Sequence, residues 1–99
     1  MSAGTIEAAA GEIQRGATIT NRRGLHARAA AKFVKLAATF DAQVIVGHRG
    51  TEVSGLSIMG LMMLAAAPGC SIELRASGAQ AVELLDALCA LIENKFDED

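Results

Sequence analysis

The sequence predicts an α+β domain: one four-stranded, mainly antiparallel sheet with three helices on a single face, in the order β-α-β-β-α-β-α. Three observations carry this. The chain has 99 residues, 52% hydrophobic and 20% charged, which is enough for one core and leaves no room for a second. Two short strand-like runs flank Gly47-His48-Arg49-Gly50, and that spacing reads as a hairpin. The remaining strands are too short for doubly wound packing, so the helices between them are expected to share one face of the sheet.

Residues 1–12 are rich in Ala and Gly without a usable period, and a flexible N-terminal extension is expected there, with the domain spanning residues 13–99. Ala17-Thr18-Ile19-Thr20 alternates as a first strand, and Asn21-Arg22-Arg23-Gly24 reads as a loop. A helix follows over about 27–38. There Ala30, Phe33, Val34 and Ala37 share one face, while Arg28, Lys32 and Lys35 gather on the opposite one at i, i+4, i+7 spacing.

Ala42-Gln43-Val44-Ile45-Val46 is the second strand, and the turn at residues 47–50 leads into a third at Thr51-Glu52-Val53. The next helix is expected from Ser57 to Ala66, ended by Pro68-Gly69, with Met63 and Leu64 in the core. Cys70 to Ala76 alternates cleanly, with residues 70, 72, 74 and 76 facing inward. Ser77-Gly78 then opens a last helix over about 79–94, whose core stripe is Ala81, Leu84, Leu85, Leu88 and Ile92.

Composition excludes several classes of function. With three Phe, no Trp and no Tyr, a stack of aromatic platforms for single strands has no material, and a net charge of −2 is wrong for a general nucleic-acid binder. Val53 to Ile72 carries no charge over 20 residues, a spanning length, but Pro68-Gly69 and the small residues Ser54, Gly55, Ser57 and Gly60 break it, so no membrane insertion is expected. The first seven residues lack a basic segment followed by an apolar one, which points to a cytoplasmic protein. Cys70 and Cys89 suggest neither a disulfide framework nor a catalytic thiol.

The near-neutral balance hides a polarity. Residues 13–40 hold six basic side chains (Arg15, Arg22, Arg23, Arg28, Lys32, Lys35) and no acidic one, a charge of +6, against −8 in the remainder. Such a patch either steers an anionic partner or is a solvated helix face.

Gly24-Leu25-His26-Ala27-Arg28 sets a His directly ahead of the first helix, where the initial backbone N–H groups have no intrahelical partner. From position alone, His26 is either a polar cap or a nucleophile whose phosphoryl adduct the N–H groups of Ala27 and Arg28 would hold. Arg28 would add a bidentate, charge-assisted contact. A free imidazole, with a reference pKa of ~6.5, is mostly neutral at pH 7, so attack needs no separate base.

Gly24-Leu25-His26-Ala27-Arg28-Ala29-Ala30 resembles the hallmark of the histidine-containing phosphocarrier family HPr, G-[ILM]-H-A-R-P-A. A second match lies at Ser57-Ile58-Met59-Gly60-Leu61-Met62-Met63-Leu64 and a third at Ala76-Ser77-Gly78. Together they cover about residues 15–99. The resemblance implies an open-faced β-sandwich in which His26 accepts phosphate at Nδ1 from enzyme I and passes it to an enzyme II A type domain. It also implies Arg28 as the phosphate contact and Ser57 as the target of an HPr kinase/phosphorylase. Ile58, Met59 and Met62, with Lys32, would form the docking surface, and a Met-rich patch suits several partners because it repacks easily.

Ala29 departs from the family's Pro, which gives position 29 a backbone N–H and loosens the first turn. The acidic end Phe96-Asp97-Glu98-Asp99 and Leu61-Met62-Met63-Leu64 resemble the nitrogen-type branch more than the sugar-transport branch, and both a sugar acceptor and a regulatory relay stay open. The tail itself reads as solubilising.

Two other readings compete with the carrier. A regulatory binding module acting through Ser57 would have no need of His26 with Arg28. A metal site built from His26, His48, Cys70 and Cys89 lacks paired-ligand spacing, so no metal and no cofactor is expected. No P-loop and no G-x-S-x-G elbow is present. A monomeric covalent shuttle is expected, its catalysis completed by each partner's site rather than by a free-standing enzyme.

Overall fold

The computed structural model describes residues 12–98. Its elements are β1 (Ile13–Thr18), α1 (Ala27–Ala37), β2 (Gln43–His48), β3 (Thr51–Ser54), α2 (Ile58–Met63), β4 (Ser71–Ser77) and α3 (Ala81–Glu93), closed by a 3-10 turn at Lys95–Asp97. The strands form one sheet in the order β1-β4-β2-β3, and every neighbouring pair is antiparallel. The result is the expected α+β open-faced sandwich.

β4 lies inside the sheet because its alternation is the cleanest in the chain. Ile72, Leu74 and Ala76 are buried under the helices, whereas Ser71 and Glu73 face solvent. On the outer face Arg75 sits between Glu52 at 2.8 Å and Glu12 at 3.6 Å. α3 buries all five residues of its expected stripe, and α1 buries Ala29, Ala30, Phe33 and Ala37. Each fully buried Leu, Ile or Phe contributes roughly 1.5–3 kcal/mol of transfer free energy. The basic stripe of α1 points the other way, with Arg28 and Lys35 exposed and Lys32 half-buried.

The first strand starts earlier than alternation suggested. Ile13 to Thr18 pair with Ala76 to Ser71, and Arg15 takes a half-buried position because its guanidinium reaches Asp86 at 2.5 Å. A charge and a glycine, Arg15 and Gly16, hid the period. Ile19 lies past the strand end but stays paired through Ile19 N–H to Cys70 O at 2.8 Å and Gly69 N–H to Ile19 O at 2.7 Å. Cys70 precedes β4 and packs against the core from the inward side, as expected, but is only half-buried.

α2 is shorter than the expected 57–66. It is capped at Leu64, and Ala65 takes φ 54°, a left-handed value that ends the helix before Pro68. Met63 is not core: it is 75% exposed, while Leu61 and Leu64 are buried. At about 100° per residue, a position two beyond Leu61 points to the far side. His48 ends β2 instead of lying in the turn, with Nδ1 3.1 Å from Ser71 O. The turn proper is Arg49-Gly50, both with positive φ (52° and 84°), as a two-residue hairpin of right-handed strands requires.

Of the expected N-terminal extension, residues 1–11 lie outside the described residues. Among the described residues no helix is long and apolar enough to cross a membrane.

Candidate functional site

The site begins with the loop between β1 and α1. Gly24 takes φ 65°, and a Cβ there would meet Ala66 O at 2.5 Å, so both the conformation and the close approach require glycine. Leu25 N–H donates to that same Ala66 O at 3.0 Å, and Leu25 is buried. The loop is thereby tied to the segment following α2. Asn21, completely buried, closes it from inside, its Nδ2 donating to Gly24 O at 2.8 Å.

His26 is the N-cap of α1, with extended backbone (φ −78°, ψ 178°) and no side-chain capping bond. Its carbonyl accepts from Ala30 N–H at 2.8 Å. The imidazole therefore does not serve as a polar cap, and the first-turn N–H groups of Ala27 and Arg28 lack intrahelical acceptors. The helix dipole adds roughly 0.3–1 kcal/mol for an anion at this end.

The imidazole is 21% exposed, and its Nε2 meets Glu98 Oε2. The other carboxylate oxygen, Oε1, accepts from Asn21 Nδ2 at 3.1 Å. Burial alone would raise the Glu98 carboxyl; hydrogen bonds from Asn21 and His26, with the charges of His26 and Lys32, outweigh it and hold the group below the usual carboxylate range. Lys32 Nζ donates to Phe96 O at 2.8 Å, and Phe96 is completely buried. Around these groups lies an open cleft of about 530 Å³, lined by Arg22, Arg23, His26, Arg28 and Lys32 with the tail residues Asp97 and Glu98.

Ser57 is the N-cap of α2, its Oγ accepting from Gly60 N–H at 2.9 Å. Beside it Ile58, Met59 and Met62 are exposed, at 40%, 68% and 39%. Leu56 and Met63 extend that apolar surface. α1 and α2 pack against each other, so the basic stripe and the apolar patch belong to adjacent helices.

The structure brings the expected acceptor His26 and phosphate contact Arg28 into one cleft with Lys32, which the sequence had placed in the docking surface; Asn21, Phe96 and Glu98 were not expected there. The tail residues had no period to mark them, and Asn21 looked like an ordinary loop residue; the one available signal was Phe96, a large apolar side chain in an otherwise acidic end. Among the described residues no three His, Cys, Asp or Glu side chains are grouped to hold a metal ion.

Known proteins align with this arrangement. The family model described as PTS HPr component phosphorylation site matches residues 13–94, stopping short of Phe96 and Glu98. Phosphocarrier protein HPr of Cupriavidus necator is 49% identical over 86 residues, covering 87% of this chain and 97% of that protein. Phosphocarrier protein NPr of Shewanella violacea is 44% identical over 87 residues, covering 88% and 96%. A crystal structure of HPr from Thermoanaerobacter tengcongensis superposes with a TM-score of 0.84 at 40% identity, covering 88% of this chain and 98% of that one.

Proposed function

The chain belongs to the HPr phosphocarrier family of the phosphotransferase system, and on that premise we propose that His26 carries a phosphoryl group from phosphorylated enzyme I to an enzyme II A type domain. The observation that carries the reading is the uncapped imidazole at the start of α1, in a cleft lined by four cationic side chains. In the transfer, the Nδ1 lone pair forms the bond to phosphorus as the donor's own bond to phosphorus breaks. The N–H groups of Ala27 and Arg28 and the Arg28 guanidinium hold the phosphoryl oxygens. Positioning and charge do most of the work in such transfers, so a small domain suffices once each partner closes over it.

Partner binding, in this reading, falls to two neighbouring surfaces. Ile58, Met59 and Met62 provide apolar contact, and Arg28 and the α1 stripe provide charge that favours an acidic partner face. Ser57 regulates: phosphate on its Oγ takes up to two negative charges into the docking surface, repelling an acidic partner without refolding α2. Residues 13–99 act as one carrier domain in the cytoplasm, as a monomer, with no cofactor.

Incubation with enzyme I and labelled phosphoenolpyruvate tests the core of this. The wild-type chain is expected to take up an acid-labile, alkali-stable label that His26→Ala lacks. Labelling that survives His26→Ala overturns the site assignment.

A further inference from the structure

We infer that Glu98 is a positioning residue for the phosphoryl step: its carboxylate holds His26 as the Nε2–H tautomer and so keeps the Nδ1 lone pair directed at the incoming phosphorus. This rests on the reading of His26 as the acceptor through Nδ1. An ionised carboxylate has only acceptor sites, so the hydrogen between Glu98 Oε2 and His26 Nε2 comes from the ring. A neutral imidazole has one N–H, and with that hydrogen on Nε2 the nucleophilic pair is on Nδ1. The depressed Glu98 carboxyl keeps the acceptor ionised through the neutral range.

The contact is built into the fold at three points. Asn21, fully buried and bonded to Gly24 O, also donates to Glu98 Oε1, joining the carboxylate to the loop that presents His26. Phe96 is seated in the core two residues before Glu98, and Lys32 from α1 grips its carbonyl. Between them the backbone holds Lys95, Phe96 and Asp97 at φ 56°, 55° and 62°. L-residues disfavour the left-handed region, so the turn persists because its contacts hold it.

The step balances without another reagent. As the Nδ1–P bond forms, the donor's bond to phosphorus breaks, the Nε2 proton stays in place, and the ring's developing positive charge faces Glu98. On transfer onward, the N–P electron pair returns to Nδ1. Arg28 and Lys32 from α1, Arg22 and Arg23 from the loop and Asp97 from the tail are the other charged groups around this cleft. A carboxylate orienting an imidazole in this way is the same device that fixes the histidine of hydrolytic triads.

The test combines long-range ¹H–¹⁵N spectra of His26 with transfer kinetics from phosphorylated enzyme I, on the full chain and its Glu98→Ala and Glu98→Gln variants. In the wild type only the Nε2–H form is expected, and Glu98→Ala should show an Nδ1–H population. Its kcat should fall roughly ten-fold, the scale seen when an orienting partner of a histidine is removed, with KM within about two-fold. Glu98→Gln has a single acceptor oxygen for the two hydrogens that Asn21 and His26 present. With that oxygen on Asn21, its amide N–H faces Nε2 and favours the Nδ1–H form, so kcat should fall at least as far as in Glu98→Ala. Identical His26 nitrogen shifts in wild type and Glu98→Ala, or an unchanged kcat, overturn the inference. A wild-type chain that takes no label at all overturns the carrier reading instead, and leaves the tautomer result standing.

Discussion

Replacing Phe96 with Ala measures how firmly the tail is anchored. The ring is completely buried, packed where the tail meets α1 and α3. Deleting a core Phe ring typically costs 3–5 kcal/mol, the larger values arising where the surroundings cannot collapse. A terminal segment can undock and relax its three left-handed residues, which places the expected loss at the low end, about 3 kcal/mol. For a domain of this size each kcal/mol lowers Tm by roughly 4–8 °C, so a drop on the order of 12–24 °C follows. Calorimetry of wild type and Phe96→Ala reads it directly, with a urea titration checking that the slope, and hence the extent of unfolding, is unchanged. A loss below about 1 kcal/mol would refute the reasoning, because it would mean that the ring's burial does not couple to the stability of the domain.

Gly24→Ala should destabilise by about 2 kcal/mol or more, since it combines a left-handed Ala with a Cβ 2.5 Å from Ala66 O; an unchanged Tm would contradict the geometry. Ser57→Ala removes the bond from Gly60 N–H and should cost about 1 kcal/mol by denaturant titration. Ser57→Asp should instead keep most of the stability while slowing phosphate uptake from enzyme I, and uptake at the wild-type rate would count against the docking assignment. The folded-state carboxyl of Glu98 is lowered. Its contribution to tail docking is therefore complete above the unfolded carboxylate range and lost as pH falls through the depressed folded value. Amide exchange of residues 95–98 should report this loss only in acid, and a Glu98 titration midpoint above the usual carboxylate range would be inconsistent with it.

Much of the fold was legible because β4 and α3 obey their periods without exception: Ile72, Leu74 and Ala76 at spacing two, Leu84, Leu85, Leu88 and Ile92 at helical spacing. The heart of the site was legible for a different reason, that the residues lining it from α1 are close in sequence. What escaped were effects that tertiary contact creates. Arg15 occupies an inward position only because Asp86 of α3 waits there. The left-handed exit at Ala65 ends α2 before Pro68 at a residue type that does not announce it. Glu98 reaches His26 across 72 residues, a separation no local pattern encodes.

The pairing of β1 has a kinetic consequence. Among the described residues its only strand partner is β4, and the paired residues are 53 to 63 positions apart in the chain. A nascent chain that has emerged only as far as Pro68 holds β1, α1 and the β2–β3 hairpin but no central strand, since β4 lies between β1 and β2. Closing so long a loop costs entropy before any contact repays it. Folding is therefore expected to wait for the last third of the chain, so the carrier domain matures as a unit after β4 is made rather than strand by strand from its N-terminus.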